Sequence, residues 1–267
     1  MTTERTDTVM LAPDQPAVKQ WLLISEFFGP TVQGEGARLG KPSVFLRLGG
    51  CNEHCVWCDT AYTWDWTGAN GIKYDPRKEL RRASFEELGT WLININNTTK
   101  VRMLTITGGE PLLQDEAIYE YLKHMRNSYY EWRDANWFVE VETNGTRIPF
   151  HSSKYVDCFN VSPKLANSGN PMSLRRNAEA LFYFARLAHS DLAVFKFVVT
   201  GPSDFEEVND ICNAYGIPSH KVYVMPEGRS EVVLETRMQT IITEAIAAGY
   251  NITPRLHVQL WGDKRGR

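Results

Sequence analysis

Short apolar segments recur along the chain and are separated by polar segments with the spacing of helices. Seven of them are rich in β-branched or aromatic residues, and several are apolar almost without interruption, as strands covered on both faces tend to be. They predict strands at Ser43–Leu48, Val101–Thr107, Trp137–Thr143, Val156–Val161, Val194–Val199, Lys221–Met225 and Arg255–Trp261.

Helix signals occupy the gaps between these strands. They comprise two capping boxes, a capping aspartate and two terminal glycines. Strands that alternate with helices indicate right-handed crossovers and a mostly parallel sheet, open or partly closed as a barrel. The helices are predicted from Ser84 toward Asn94, over Glu116–Arg126 after Asp115, from Ser203 to Gly216, and over Glu231–Ala248 before Gly249.

Two segments lack this alternation. Residues 1–20 are typical of a flexible leader, and Thr60–Arg82 resembles a loop insertion, to which we assign no role. Residues 21–267 are predicted to form one domain. Ligands of parallel sheets collect at the carboxyl ends of the strands, and each motif described below falls at such an end.

Composition indicates a globular protein and argues against nucleic-acid-binding and membrane-spanning proteins. The chain has 43% hydrophobic and 23% charged residues, as an ordinary globular protein has. A net charge of −3 without a long basic run gives no reason to expect nucleic-acid binding, and the apolar stretches are shorter than the ~20 residues of a membrane span. Five cysteines without a secretory leader predict a reducing, cytoplasmic location. Cys158 and Cys212 stand alone, and we expect them to pack in the core.

The other three cysteines follow the first predicted strand, in the spacing Cys51-x3-Cys55-x2-Cys58. Three thiolates on one tight loop can hold three irons of a [4Fe-4S] cube and leave the fourth iron open to a small molecule. The alternative is a closed zinc site with His54 as fourth ligand. Its position between two cysteines makes simultaneous ligation of one zinc sterically awkward.

Polar motifs follow three later strands. Thr107-Gly108-Gly109-Glu110-Pro111 lets a ligand approach the backbone closely, and Glu110 can either accept from an ammonium group or order the loop. Glu140–Thr146 places acceptors at the next strand end, although its Asn144-Gly145 is also a good turn dipeptide. Ser162-Pro163-Lys164 then adds a hydroxyl and a cation.

The cysteine loop followed by a Gly-Gly-Glu strand end resembles the radical S-adenosylmethionine (SAM) enzymes over about residues 22–267. The resemblance implies that the open iron chelates SAM and that reductive cleavage yields a 5′-deoxyadenosyl radical, which takes hydrogen from a substrate. It assigns SAM contacts to Trp57, Cys58, Asp59, Gly108, Gly109, Glu110, Glu142, Ser162, Pro163, Lys164, Met225, Pro226 and Glu227.

Flanking segments narrow the resemblance to the 7-carboxy-7-deazaguanine synthase family. That family implies a modified, incomplete (β/α) barrel, usually a homodimer. Its reaction converts 6-carboxy-5,6,7,8-tetrahydropterin to 7-carboxy-7-deazaguanine with loss of ammonia, in queuosine biosynthesis. It implies a [4Fe-4S] cluster, SAM and Mg²⁺ as cofactors, with Mg²⁺ near Thr60, and a low-potential electron donor such as flavodoxin. The segments are Phe28–Gly36, Arg47, Cys58–Thr60, Val224–Gly228 and His257–Gly262.

Substrate contacts also follow from this resemblance. A pterin has an amino-pyrimidinone edge that Gln33 and Glu35 can read, and a carboxylate that Arg47 can bind bidentately. The alternatives are a solvated turn at Gln33 and Glu35, a salt bridge at Arg47, and a core histidine at His257. The expected contacts are Val32, Gln33, Gly34, Glu35, Arg47, Thr107 and His257.

Two other functions share part of the pattern. A glycyl-radical activating enzyme has the same cysteine spacing, but it needs a groove for a protein loop and has no use for Arg47 with Gln33 and Glu35. A non-catalytic iron–sulfur or zinc protein would make the Gly-Gly-Glu-Pro strand end a coincidence, and it would not bind SAM. Some synthases have a long insertion between the first two cysteines, and this chain has the short spacing.

Overall fold

The apolar segments become the strands of one sheet in residues 19–267, the part of the chain that the computed structural model describes. The expected leader, residues 1–20, lies outside the described residues except for its last two positions. The strands are β1 (Trp21–Val32), β2 (Pro42–Leu48), β3 (Arg81–Ser84), β4 (Met103–Gly108), β5 (Phe138–Thr143), β6 (Cys158–Val161), β7 (Ala193–Val199), β8 (Val222–Pro226) and β9 (Asn251–Ile252).

The sheet is mostly parallel, as predicted. Its order is β3-β1-β2-β4-β5-β6-β7-β8-β9. From β2 through β9 each neighbouring pair in this order is parallel, whereas β1 pairs antiparallel with both β2 and β3. Strands β1 and β3 escaped prediction because β1 mixes polar and apolar residues and β3 is short and Arg-rich.

The predicted helices form, but only part of their capping signals is confirmed, since Ser203 makes no side-chain capping hydrogen bond. Ser84 accepts a hydrogen bond from the backbone N–H of Glu87 at 3.1 Å, as a capping box requires. Gly216 and Gly249 end their helices with φ of 68°. The helices are α1 (Pro76–Glu79), α2 (Phe85–Thr98), α3 (Asp115–Ser128), α4 (Tyr130–Asp134), α5 (Met172–Arg175), α6 (Ala178–His189), α7 (Asp204–Tyr215), α8 (Glu231–Ala248) and α9 (Leu256–Trp261).

The predicted strand Arg255–Trp261 is wrong. Its alternating apolar residues form the short helix α9, with Val258 buried. The true last strand, β9, ends two residues before Pro254, which cannot donate to a sheet ladder. The capping role predicted for Asp115 is also wrong, because its carboxylate accepts from the backbone N–H groups of His151 and Ser152 at 2.8 and 3.0 Å.

The two faces of the sheet differ in polarity. One face, with Leu46, Ile106 and Phe195, is fully buried against the helices. Strand alternation places the polar residues on the other face, where the register aligns Arg47 with Thr107, Thr105 with Glu140, and Glu142 with Asn160. This polar face forms the floor of the site described below. None of the helices between residues 19 and 267 is long and apolar enough to cross a membrane.

Candidate active site

A cavity opens on the polar face of the sheet, at the carboxyl ends of its parallel strands, where ligands of such folds collect. The loop after β2 and the residues before α9 complete its walls. Most of the predicted site residues line it: Val32, Gln33, Gly34, Glu35, Arg47, Cys51, Cys55, Trp57, Cys58, Asp59, Thr60, Thr107, Gly108, Gly109, Glu142, Ser162, Lys164, Met225, Glu227 and His257.

Three residues expected at SAM do not line the cavity: Glu110, Pro163 and Pro226. Glu110 is fully buried. Its carboxylate accepts from the backbone N–H of Leu112 at 2.9 Å, the hydroxyl of Thr143 at 2.8 Å and the backbone N–H of Asn144 at 2.7 Å. Of the two roles considered for Glu110, the structure therefore supports ordering of the loop, since the expected role as an ammonium acceptor would need an accessible carboxylate.

One wall of the cavity, the cysteine wall, consists of Cys51, Cys55 and Cys58. Each sulfur accepts a hydrogen bond from an N–H group: from the backbone of Glu53 at 3.4 Å, from the side chain of Asn170 at 3.2 Å and from the indole of Trp64 at 3.3 Å. N–H donors to sulfur stabilise cluster thiolates and tune their redox potential. Trp64 also gives part of the predicted insertion Thr60–Arg82 a role, because it supports the cysteine loop.

The three thiols must lose their protons before they can hold a cluster or a metal ion. Burial raises the pKa of Cys55 to about 12 and also raises the pKa values of Cys51 and Cys58, so a coordinating metal would have to deprotonate them. Within residues 19–267, no three His, Cys, Asp or Glu side chains are placed to hold a single metal ion. The His54 ring instead stacks on Trp64, with 4.7 Å between ring centroids. The ring therefore packs against the same indole that donates to Cys58.

The glycine pair at the end of β4 lets this strand approach the cysteine loop. A Cβ at Gly108 would lie 2.2 Å from the carbonyl oxygen of Leu48, and one at Gly109 would lie 2.1 Å from that of Gly50. Gly108 also has a φ of 145°, which side chains rarely adopt. The backbone N–H of Glu110 donates to Gly50 at 2.8 Å. The two motifs of the sequence are thus joined backbone to backbone.

A second group of lining residues, the charged wall, consists of Glu35, Asp59, Lys196 and Arg255. The Glu35 carboxylate accepts from the Lys196 ammonium and from the Arg255 Nε, the latter at 3.1 Å. Arg255 also pairs with Asp59. Burial alone would raise the pKa of Glu35, but the two cations hold it well below its usual range. Glu35 therefore remains ionised at neutral pH.

Sequence reasoning missed Lys196, Arg255 and Glu53. Lys196, like Arg47, is a single cation within an apolar strand. This pattern could have identified Lys196 as a site residue. Arg255 was placed in the wrong element. Glu53 lies between two cluster cysteines and is 1% exposed, and neither of its oxygens has a hydrogen-bond partner among the described residues. Burial raises the pKa of Glu53 to about 7, although the Lys164 ammonium opposes this shift.

The remaining predicted substrate contacts also line the cavity. Arg47 lines the cavity, and its Nε donates to Glu26 at 2.8 Å, which is the salt bridge considered as its alternative role. Gln33 is 2% exposed, which contradicts a solvated turn. His257 lies 3.9 Å from Glu35, and burial lowers its pKa. The Thr60 hydroxyl lies 3.6 Å from the Cys58 sulfur.

Comparison with known proteins agrees with this geometry. Residues 46–167 match the family model described as the radical SAM superfamily. The 7-carboxy-7-deazaguanine synthase of Pyrobaculum aerophilum is 35% identical over 239 residues, which cover 89% of this chain and 94% of that relative. The enzyme of the same name from Halobacterium salinarum is 33% identical over 261 residues, 91% of each chain.

A solved structure shares the fold. The crystal structure of QueE from Escherichia coli superposes with a TM-score of 0.60 at 24% identity and covers 89% of this chain and 95% of that one. This match confirms the predicted radical SAM architecture, and the sequence identities to the two synthases confirm the narrower resemblance. The chain belongs to the 7-carboxy-7-deazaguanine synthase family of radical SAM enzymes.

Proposed function

We propose that this chain converts 6-carboxy-5,6,7,8-tetrahydropterin to 7-carboxy-7-deazaguanine with loss of ammonia, as a carbon–nitrogen lyase. The observation that supports it best is that one cavity is lined by both the cysteine wall and the charged wall. The reaction needs a radical source beside a pocket for a polar, anionic heterocycle. Holding the two reactants side by side replaces a bimolecular encounter by a positioned one.

The cysteine wall would hold the [4Fe-4S] cluster. Bound there, the cluster and SAM would supply the radical that removes hydrogen from C6 of the substrate. Gly109 and the turn at Ser162 and Lys164 border the same space, and the Lys164 ammonium donates to the backbone carbonyl of Ser162 at 2.7 Å. That bond holds a cation at the cavity edge, where it can bind an anionic group of a ligand.

The charged wall and its neighbours would bind the pterin. Glu35, held ionised by its two cations, can accept from the ring amino and N–H groups. Arg47 uses its Nε for Glu26, and its remaining N–H donors can bind the substrate carboxylate. A small cavity with such groups suits a heterocycle better than the protein loop of a glycyl-radical enzyme.

Further parts of the proposal rest on the family resemblance. Mg²⁺ would bind near Thr60, with substrate oxygens and waters completing its octahedral shell, because a lone hydroxyl is a weak anchor. A low-potential donor such as flavodoxin would supply the electron. We also propose a homodimer in the cytoplasm, where reducing conditions keep the cluster thiols available.

An anaerobic turnover assay tests the proposal. Iron–sulfur-reconstituted protein is mixed with SAM, Mg²⁺, a low-potential reductant and the tetrahydropterin, and mass spectrometry detects 7-carboxy-7-deazaguanine. Product formation would support the proposed reaction. Cleavage of SAM to 5′-deoxyadenosine without the deazaguanine would keep the radical chemistry and reject the substrate.

A further inference from the structure

Glu140 lies directly beneath the cavity and has no part in the function proposed above. It is fully buried on β5, two residues before Glu142 and therefore on the same face of the strand. Glu142 lines the cavity, whereas Glu140 does not. Burial of a carboxyl group lowers the stability of the fold unless the group is hydrogen-bonded. The hydrogen bonds of Glu140 therefore indicate what this residue does.

The side-chain amide of Gln33 joins the two glutamates. Its Nε2 donates to Glu140 Oε1 at 2.6 Å and to Glu142 Oε1 at 3.0 Å. A glutamine amide has two N–H donors, and both are used here. A proton held by Glu140 lies on Oε2, which has no partner, so Oε1 still accepts. The flipped amide would then place its oxygen against two acceptor oxygens, and this decides which end carries the nitrogen.

With both N–H donors used, the Gln33 side chain can bind a ligand only through its carbonyl oxygen. This oxygen accepts one long hydrogen bond, from the backbone N–H of Glu35 at 3.3 Å, and an amide oxygen has two lone pairs. Gln33 lines the cavity. A ligand that presents an N–H or amino group there can form a hydrogen bond, whereas a ligand that presents a carbonyl leaves two acceptors facing each other.

Glu140 fits the task of fixing this amide better than Glu142 does. The second oxygen of Glu142 accepts from the Thr107 hydroxyl at 2.8 Å, so Glu142 is tied to the cavity wall. The second oxygen of Glu140 has no hydrogen-bond partner within residues 19–267, and the bond from Gln33 is the one that the structure gives this side chain. Removal of the Glu140 carboxyl would therefore act on Gln33 first.

We propose that Glu140 is a positioning residue that fixes the amide orientation of Gln33, so that Gln33 offers its carbonyl oxygen to the donor-bearing edge of the substrate. This inference rests on the proposed function in so far as the substrate is a pterin, whose amino-pyrimidinone edge carries such donors. Glu140 itself touches no substrate. Its effect on the reaction passes through Gln33.

Three variants test the inference by steady-state kinetics with the tetrahydropterin. Glu140→Gln keeps an acceptor for Gln33 and should leave KM within about 3-fold of the wild-type value. Glu140→Leu leaves a Gln33 N–H without an acceptor, and we expect KM to rise about 10- to 100-fold with a smaller change in kcat. In a Gln33→Leu background, Glu140→Leu should change KM by less than about 2-fold.

Two results would overturn the inference: an unchanged KM in Glu140→Leu, or an equal rise of KM with and without Gln33. Glu140→Met, of similar length, replaces Glu140→Leu if the latter does not fold.

Fluorescence titration with 6-carboxypterin, an oxidised analogue with the same amino-pyrimidinone edge, gives the same comparison as dissociation constants and needs no turnover. If the wild type binds this analogue but forms no deazaguanine, the proposed reaction fails while the role of Glu140 is still decided.

Discussion

The two walls of the cavity are built in different ways. The cysteine wall comes from one short loop, and its sulfurs accept N–H groups from neutral side chains and backbone. The charged wall brings together residues from distant parts of the chain, with Glu35 and Arg255 220 positions apart. The cysteines of the first wall are close in sequence, although Asn170 supports Cys55 from 115 positions away. The second wall exists only when the whole sheet is folded.

This difference predicts different responses to mutation. A change in the cysteine wall should remove chemistry and leave the fold intact, because the loop contributes little to the core. A change in the charged wall should affect both activity and stability, since removal of one partner leaves a buried charge unpaired. Matched variants in the two walls test this difference.

Cys55→Ala should have the largest effect on activity. Without one of its three thiolates the cluster is lost, and we expect product formation to fall at least about 10³-fold. Iron content and the visible absorbance of the reconstituted protein measure the cluster directly. The control is Cys158→Ala, which removes a buried thiol of β6 and should keep the iron. Full iron content in Cys55→Ala would refute the assignment of the cysteine wall.

Arg255→Leu should reduce both activity and stability. It leaves Glu35 and Asp59 without their shared partner, which should lower the free energy of unfolding by about 3–5 kcal/mol and kcat/KM by about 10²-fold. Denaturant unfolding and turnover kinetics measure the two effects. Arg81→Leu, which breaks the exposed pair with Glu87, should cost less than about 1 kcal/mol. Similar losses in both variants would contradict the charged wall as a buried unit.

Stability should also depend on pH through Glu140. Burial, together with the neighbouring Glu142, raises the pKa of Glu140 from 4.5 to about 8, although the hydrogen bond from Gln33 and the charges of Lys196 and Arg38 oppose this shift. Between these values the folded protein keeps a proton that the unfolded chain releases. The contribution of protonated Glu140 to stability is therefore fully present below the unfolded-state pKa of 4.5, and it is lost as the pH rises through the folded-state pKa of about 8.

Chemical denaturation at several pH values measures this dependence. One retained proton changes the free energy of unfolding by about 1.4 kcal/mol per pH unit. Glu140→Gln cannot titrate, so between the two pKa values its stability should fall less with rising pH than that of the wild type. Identical slopes would show that Glu140 is ionised in the folded protein.

Glu110→Gln should have the smallest effect, and it should act on the loop. Three donors point at the Glu110 carboxylate, and an amide can accept from fewer of them, so we expect a loss of about 1–3 kcal/mol in unfolding free energy. Because the residue does not line the cavity, the dissociation constant of SAM should change by less than about 3-fold. A large loss of SAM affinity at unchanged stability would restore the ammonium-binding role.

The cysteine wall could be predicted from sequence because its three cysteines lie close together in the chain. The spacing of the three cysteines and the Gly-Gly-Glu strand end are read directly, and buried parallel strands give long apolar segments. The charged wall could be predicted only in part. Lys196 shows as a lone cation within an apolar strand, but its partner Glu35 lies 161 positions away.

Errors arose where tertiary contacts decide the outcome. The alternation in residues 255–261 satisfies a strand pattern, but the ladder has already ended near Pro254, and Arg255 is held by partners from the opposite end of the chain. For Glu110 the sequence left both a ligand contact and ordering of the loop open, because it does not show that Thr143 and Asn144 fold against this residue. Long-range partners of this kind leave no local signal.

If the two walls hold radical source and substrate in one cavity, hydrogen from C6 of the substrate must reach the 5′ carbon of the adenosyl group. The most direct measurement is transfer of deuterium from substrate deuterated at C6, with mass spectrometry of recovered SAM and 5′-deoxyadenosine. We predict deuterium at the 5′ carbon of 5′-deoxyadenosine and of SAM that re-forms from it. Arg255→Leu should reduce the amount of deuterium while the cluster stays intact. Formation of 7-carboxy-7-deazaguanine with no deuterium in either compound would contradict the account.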